Sequence, residues 1–81
     1  MAEPFCLREA RVNQRLRIRS VSAAGELGRR IRDMGLVAGV EVAVIGKAPL
    51  KDPVALRLRD FTLTLRNREA DHILVEPLEG T

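Results

Sequence analysis

The sequence is poor in aromatic side chains. It has no tryptophan and no tyrosine, and its only phenylalanines are Phe5 and Phe61. Proteins that bind single-stranded nucleic acid commonly stack the bases on aromatic rings, and each stacked base contributes about 1–3 kcal/mol. The shortage of rings therefore argues against that mode of binding, although it leaves binding through phosphates open.

Cysteine and histidine each occur once, as Cys6 and His72. A transition-metal site needs several converging N, O or S donors, and a catalytic nucleophile needs a base within hydrogen-bond reach. The segment Gly35–Gly39 also lacks the Lys-Ser/Thr of a P-loop. We therefore predict no catalytic residue, no metal site, no cofactor and no enzymatic activity. The side chains considered as metal ligands are Cys6, Asp52, Glu69, Asp71 and His72.

Long apolar runs are missing as well. No run approaches the ~20 residues of a membrane-spanning helix, and the N-terminus "MAEPFCLREA" lacks the apolar stretch of a signal peptide. A single cysteine cannot form an intrachain disulfide, which fits a reducing compartment. A chain of this length buries about 60–65% of its unfolded surface, enough for one thin core. We expect one domain over residues 1–81, located in the cytoplasm.

A helical pattern is present in the first half of the chain. Leu27, Ile31 and Met34 fall at i, i+4 and i+7, which places them on one face of a helix. Ser22 has the side chain of an N-cap residue. Gly35 stands where a helix commonly ends in a residue with positive φ.

Alternating apolar and polar residues indicate strands through most of the remaining sequence. The clearest is a hairpin with its turn at Arg59–Asp60, and a single helical or 3-10 turn is expected after it, at 67–71. Residues 1–13 read as a lead-in that is either a helical turn or a short strand. The hairpin residues expected to face inward are Val54, Leu56, Leu58, Phe61, Leu63 and Leu65. The predicted strands are 15–21, 40–44, 54–58, 61–65 and 72–77.

Short strands in a small chain are best protected from edge pairing when the sheet closes on itself. The predicted fold is therefore mainly β: a small SH3-like barrel of about five strands, with one α-helix inserted between the first and second strands. This architecture offers no deep cleft, so any function is expected to reside on the surface.

The charge on that surface is mostly arginine. Lysine and arginine together number 14 against 11 acidic residues, and the formal net charge is +3. Rows of arginine on outward strand positions could meet phosphates, so a small basic barrel that binds nucleic acid is the alternative function. The competing interpretation is a solvated outer face whose aliphatic stems cover a small core. The rows are Arg15, Arg17, Arg19 and Arg57, Arg59, Arg66.

Several short motifs follow one another in a characteristic order along residues 15–76. They are Met34-Gly35-Leu36, Gly39, Ala48-Pro49-Leu50, Asp52-Pro53, Leu65-Arg66 and Glu69-Ala70. This combination resembles the FeoA family, the small cytosolic proteins of bacterial ferrous iron uptake. Ala38, Lys51 and Asp60 depart from it, since the family usually has proline at the first position, usually glycine at the second and often glycine at the third.

The resemblance implies both a fold and a partner. The fold is an SH3-like barrel, and the partner is a FeoB-type transporter, a membrane protein with a cytosolic GTP-hydrolysing domain. On this basis we expect a non-enzymatic accessory protein that binds the cytosolic part of the transporter. It would reach the membrane only through the transporter, and no nucleic-acid partner is expected. A homodimer or a segment swap through the 46–53 loop is left open.

The helix, the turn after it and the proline-containing loop are expected to form the docking surface. Apolar anchors with arginine around them resemble an interface hot spot. The other interpretation is that Leu36 and Leu50 simply close the ends of the barrel. The predicted partner-binding residues are Arg29, Arg30, Met34, Leu36, Ala48, Pro49, Leu50, Asp52 and Pro53.

Overall fold

The computed structural model describes residues 3–47 and 53–78. In this part of the chain, strands account for most of the regular structure, and two α-helices and one 3-10 turn lie between them. The elements in chain order are β1 (Phe5–Cys6), a 3-10 turn (Leu7–Glu9), β2 (Arg15–Val21), α1 (Gly25–Asp33), β3 (Glu41–Lys47), β4 (Val54–Leu58), β5 (Phe61–Leu65), α2 (Asn67–Ala70) and β6 (Ile73–Pro77).

The strands form one antiparallel sheet in the order β1-β6-β2-β3-β4-β5. Its pairing shifts register between Ile18 and Ser20 and again between Val44 and Gly46. Such bulges bend a strand and increase its twist, which lets the sheet curl around one core. The predicted mainly β, SH3-like architecture is confirmed. Because β1 is an additional strand, there are six strands and α1 lies between the second and third.

The core consists of the inward-facing residues of the strands together with the apolar side of α1 and of the N-terminal turn. Side chains that are almost completely buried supply most of its volume, so the thin core expected from the chain length is filled by aliphatic groups. They are Leu7, Leu16, Ile18, Ile31, Leu36, Val44, Val54, Leu56, Leu65, Ile73 and Val75. Within the described ranges, neither α-helix has the length and apolar content needed to cross a bilayer.

Phe61 departs from the predicted burial of the hairpin. It pairs with Leu58 next to the turn, so it lies on the inner face as its parity indicates. Nevertheless it is 50% exposed. Phe61 begins β5, which is an edge strand of the sheet, and its ring lies near Gly35 and Leu58.

The start of α1 also differs from the prediction. Ala24 is the N-cap, and no side chain bonds to the first turn, so the assignment of Ser22 as the cap is wrong. The Ser22 hydroxyl donates instead to the backbone oxygen of His72 at 3.2 Å, and the Ser22 N–H donates to the same oxygen at 2.8 Å. Ser22 therefore ties the end of β2 to the start of β6.

The end of α1 forms a tight corner at Gly35, which confirms the predicted helix end. Gly35 has φ of 93°, its N–H donates to Arg32 at 2.9 Å, and the N–H of Leu36 donates to Ile31 at 3.3 Å. These two bonds are those of a Schellman motif, in which an apolar residue after the glycine packs back on the helix. Leu36 and Ile31 are both completely buried. Leu36 therefore belongs to the core, in line with the interpretation that it closes the end of the barrel, and its side chain offers no surface to a partner.

The turn after this corner is tied to the sheet. Gly39, with φ of 94°, donates its N–H to Ile18 at 2.8 Å, and the Ile18 N–H donates to Val40 at the same distance. Backbone bonds thus join the turn after the helix to strand β2, and the buried side chain of Leu36 anchors the same segment in the core. This arrangement fixes the position of α1 against the barrel.

Gly28 lies inside α1 at a point of close backbone approach. A Cβ built on it would overlap the backbone oxygen of Ala23 and stand 3.0 Å from the Ala23 carbonyl carbon. The absence of a side chain therefore allows the chain before the helix to pass directly over it.

Replacing Gly28 by alanine should destabilise the fold. Alanine gains about 1 kcal/mol of helix propensity, but the overlap with rigid backbone costs more, so we expect a net loss of about 1–2 kcal/mol. Urea unfolding measures the change. Arg29→Ala on the exposed side of the same helix is the control and should stay within about 0.5 kcal/mol of the parent. A Gly28→Ala variant as stable as the parent would contradict the close approach.

Truncating Leu36 should be among the most damaging changes in the chain. Leu36→Ala removes a fully buried side chain from the corner, and such changes typically cost 2–5 kcal/mol, so we expect a loss of about 3 kcal/mol. Val37→Ala, at a neighbouring residue that is 40% exposed, should cost under about 1 kcal/mol. Thermal unfolding of the pair checks this. Equal melting temperatures would show that Leu36 is not a core residue.

Candidate docking groove

A broad groove lies between α1 and the end of the β4–β5 hairpin. Its volume is about 890 Å³. On the helix side, Leu27 and Met34 contribute partly buried apolar surface that packs against the core. This surface is called the docking groove below. Its lining residues are Glu26, Leu27, Arg30, Met34, Pro53, Thr64, Arg66, Arg68 and Glu69.

The far wall of the docking groove is built by the turn from β5 into α2. The Arg66 N–H donates to Oε1 of Glu69 at 3.0 Å, and the Glu69 N–H donates back to the Arg66 carbonyl at 2.9 Å. A glutamate three residues into a helix that reaches back to the capping residue in this way fixes the first turn. The local sequence therefore brings Arg66, Arg68 and Glu69 to the same wall of the groove.

Glu69 also links the two walls of the groove. It is only 9% exposed, and its Oε2 lies 3.8 Å from Nη2 of Arg30 on α1. Since the Arg30 side chain is 72% exposed, the pair contributes little stability by itself. Its consequence is geometric: Arg30 is drawn over the groove, next to Arg66 and Arg68.

The docking groove consequently has apolar surface inside and positive charge at its edge. Three arginines and two glutamates line it, and one of the glutamates is already held by Arg30 and by a backbone N–H. Methionine and arginine are both enriched at protein–protein interfaces. The arrangement can bind a segment that offers apolar side chains and carboxylates.

The structure brings three of the predicted partner-binding residues together. Arg30, Met34 and Pro53 line the docking groove. Arg29 is exposed on α1 but does not line it, and Leu36 is in the core. The remaining predicted residues, Ala48, Pro49, Leu50 and Asp52, lie outside the described residues.

Sequence reasoning missed the other side of the groove. Arg66, Arg68 and Glu69 are distant from α1 along the chain, and no pattern linked the two segments. The Arg66–Glu69 spacing was a usable signal, because a glutamate at the third position of a helix marks its start. Leu27 was identified only as part of the helix stripe. The missed lining residues are Glu26, Leu27, Thr64, Arg66, Arg68 and Glu69.

The side chains considered as metal ligands do not converge. The Cys6 thiol donates to the backbone oxygen of Asp71 at 3.6 Å, while the Asp71 carboxylate pairs with Arg8 at 3.3 Å. Glu69 faces Arg30 instead. Across residues 3–47 and 53–78, no three His, Cys, Asp or Glu side chains are grouped so that they could hold a metal ion. Asp52 is outside that range.

The arginine row on β2 is largely occupied by carboxylates. Arg17 lies opposite both Glu41 and Glu76 in the sheet and pairs with them at 3.5 and 3.8 Å. Arg19 pairs with Glu76 at 3.2 Å. Cross-strand acid–base pairs of this kind balance charge on the outer face. The row is thus a less effective phosphate-binding surface than the sequence alone indicated.

Comparisons with known proteins agree with this fold. A solved structure of a FeoA-like protein from Clostridium acetobutylicum is 40% identical and superposes with a TM-score of 0.88, covering 100% of this chain and 94% of that one. The FeoA of Stenotrophomonas maltophilia, solved with zinc, is 26% identical with a TM-score of 0.76, covering 93% and 91%. It is described as a prokaryotic SH3 domain protein with a suggested role as a ferrous iron transport activating factor.

A curated relative from Porphyromonas gingivalis extends the comparison to a longer protein. It is a fusion of Fe(2+) transport protein A and the Fe(2+) transporter FeoB, 41% identical over 56 residues, or 69% of this chain. The match spans 7% of that protein, so the chain corresponds to a small part of it. The family model for the FeoA domain matches residues 5–77. With most of its length matched by that model, the chain belongs to the FeoA domain family.

Proposed function

We propose that this protein is a non-enzymatic accessory protein of ferrous iron transport that docks on the cytosolic part of a FeoB-type transporter. The observation that carries the proposal is the Porphyromonas gingivalis relative, in which a matching segment and FeoB are parts of one polypeptide. Fusion keeps two modules at a high effective concentration, which favours a weak contact between them. A separate chain of the same family would make that contact between molecules, in the cytoplasm.

The docking groove supports the proposal with its chemistry. Its partly buried Leu27 and Met34 offer apolar contact area, and Arg30 can bind carboxylates at the rim. The groove is also held by a rigid frame, because the Schellman corner fixes the end of α1. A preformed surface loses little conformational freedom when a partner binds, so it can bind with useful affinity through a small area.

Binding should depend on the charge of Arg30. The test is titration calorimetry of the full chain against the purified cytosolic part of the FeoB-type transporter from the same genome. Arg30→Gln removes a largely exposed guanidinium, so the fold should be unchanged and binding about fivefold weaker at low salt. The difference should shrink as salt is added, because exposed charges are screened.

Arg15→Gln is the matched control, since Arg15 is exposed on β2 and does not line the groove. It should bind like the parent. A parent protein with no saturable binding would contradict the proposed function, whereas equal affinities for all three proteins would contradict the groove as the contact surface.

A further inference from the structure

Strand β5 is an open edge of the sheet. In the part of the chain that the structure describes, it pairs with β4 and with no other strand. The turn between them has two residues, and Leu58 and Phe61 form the pair that closes it. In a hairpin with a two-residue turn, the closing pair is hydrogen-bonded, and hydrogen-bonded and non-hydrogen-bonded pairs alternate along the strands from there. The N–H and C=O groups of Phe61, Leu63 and Leu65 therefore face β4. The N–H and C=O groups of Thr62 and Thr64 face away from it.

Among the residues that the structure describes, β5 itself carries none of the usual protecting features. Exposed edge strands are normally blocked by charges, proline, bulges or short length. The five residues Phe61–Leu65 contain no charge and no proline, and all five pair with β4 without a register shift. At the opposite edge, β1 is only two residues long. β5 is therefore the edge at which another strand can add.

The open edge leads into the docking groove. Thr64 lines the groove on the sheet side, and Leu27, Arg30 and Met34 of α1 line it on the other. Binding of an extended peptide between an edge strand and a helix is the geometry of β-augmentation, in which backbone bonds provide affinity and flanking side chains provide specificity. β5 can pair with about five residues, a length of about 17 Å.

The charges of the groove select what can bind there. Glu69 is nearly buried and is already bonded to the Arg66 N–H and close to Arg30. The groups left at the rim are therefore mainly guanidinium, from Arg66 and Arg68 in addition to Arg30, against the single carboxylate of Glu26. A segment with aspartate or glutamate would be attracted, and a basic one would be repelled.

We propose that an acidic, extended segment of the partner protein adds as a new strand to β5 inside the docking groove. Its backbone bonds to Thr62 and Thr64, and its carboxylates meet Arg66 and Arg68. The proposal rests on the proposed function for the identity of the partner, the cytosolic part of a FeoB-type transporter. It adds the mode of binding and the chemistry of the segment that is bound.

Thr64→Pro tests the strand addition. Proline removes one outward N–H, and proline is tolerated on an edge strand where the N–H does not serve the ladder. Binding of the transporter's cytosolic part should weaken about five- to tenfold, the value of one lost hydrogen bond. Thr64→Val is the matched comparison: it keeps the N–H and the branched shape, so it should bind at least fivefold more tightly than Thr64→Pro. Arg15→Gln, outside the groove, is the control that should bind as the parent does. Arg68→Gln should weaken binding in a salt-dependent manner.

Hydrogen exchange on the unmodified protein provides a readout that does not depend on a variant folding. In the complex, the Thr62 and Thr64 amides should become protected while those of β2 stay unchanged. If the cytosolic part binds but these amides remain unprotected, or Thr64→Pro binds as the parent does, the strand addition is wrong and the proposed function stands. Absence of any binding overturns both.

Self-association gives a further decisive outcome. Antiparallel pairing of β5 with a second copy, centred on Leu63, would place Asp60 opposite Arg66. Sedimentation would then show a dimer of the parent protein that Thr64→Pro dissociates. If the transporter's cytosolic part also binds the dimeric parent and the monomeric variant equally, the edge belongs to a second copy and the proposal is overturned.

Discussion

The structure depends on one backbone constraint, the corner that ends α1. Gly35 adopts a positive φ that side chains disfavour, and this lets Leu36 turn back into the core beside Ile31. The bond from Gly39 to Ile18 then joins the turn to the sheet. In a barrel with so little interior, one helix can be held firmly only if its end is part of the core. Gly28 serves the same purpose near the start of the helix.

The position of α1 determines what the open edge of the sheet can bind. An edge strand alone is an unselective site for any extended chain. With α1 beside it, β5 opens into a groove that has apolar surface and a particular charge. Glu69 is central to this arrangement because it fixes the first turn of α2 and draws Arg30 across the groove. The positive rim therefore contains arginines from both α1 and the α2 region, and the carboxylate of Glu69 links the two helices.

The sequence predicted the strands and the helix well because local patterns dominate in a small protein. The alternation in Arg15–Val21 and the hairpin around Arg59–Asp60 were found where the structure has them. The sequence-based prediction was wrong where a segment distant in the chain determines the surroundings of a side chain. Ser22 has the chemistry of a helix cap, but the His72 carbonyl across the sheet takes its hydroxyl. Phe61 has inward parity, but it starts an edge strand and half of its surface remains exposed.

By itself the sequence determined the mainly β fold, the position of helix α1, the glycine corner and the membership of the family. Each of these depends on residues close together in the chain or on their order. The sequence also identified part of the candidate site, namely Arg30 and Met34 on the helix side and Pro53 next to the hairpin. Only the tertiary structure decided that Leu36 is buried and that Thr64, Arg66 and Glu69 form the opposite wall. The curled sheet brings α1 and the segment around Thr64 and Glu69, which are far apart in the chain, to the two sides of one groove. Periodicity along the chain carries no information about the distance in space between two such segments.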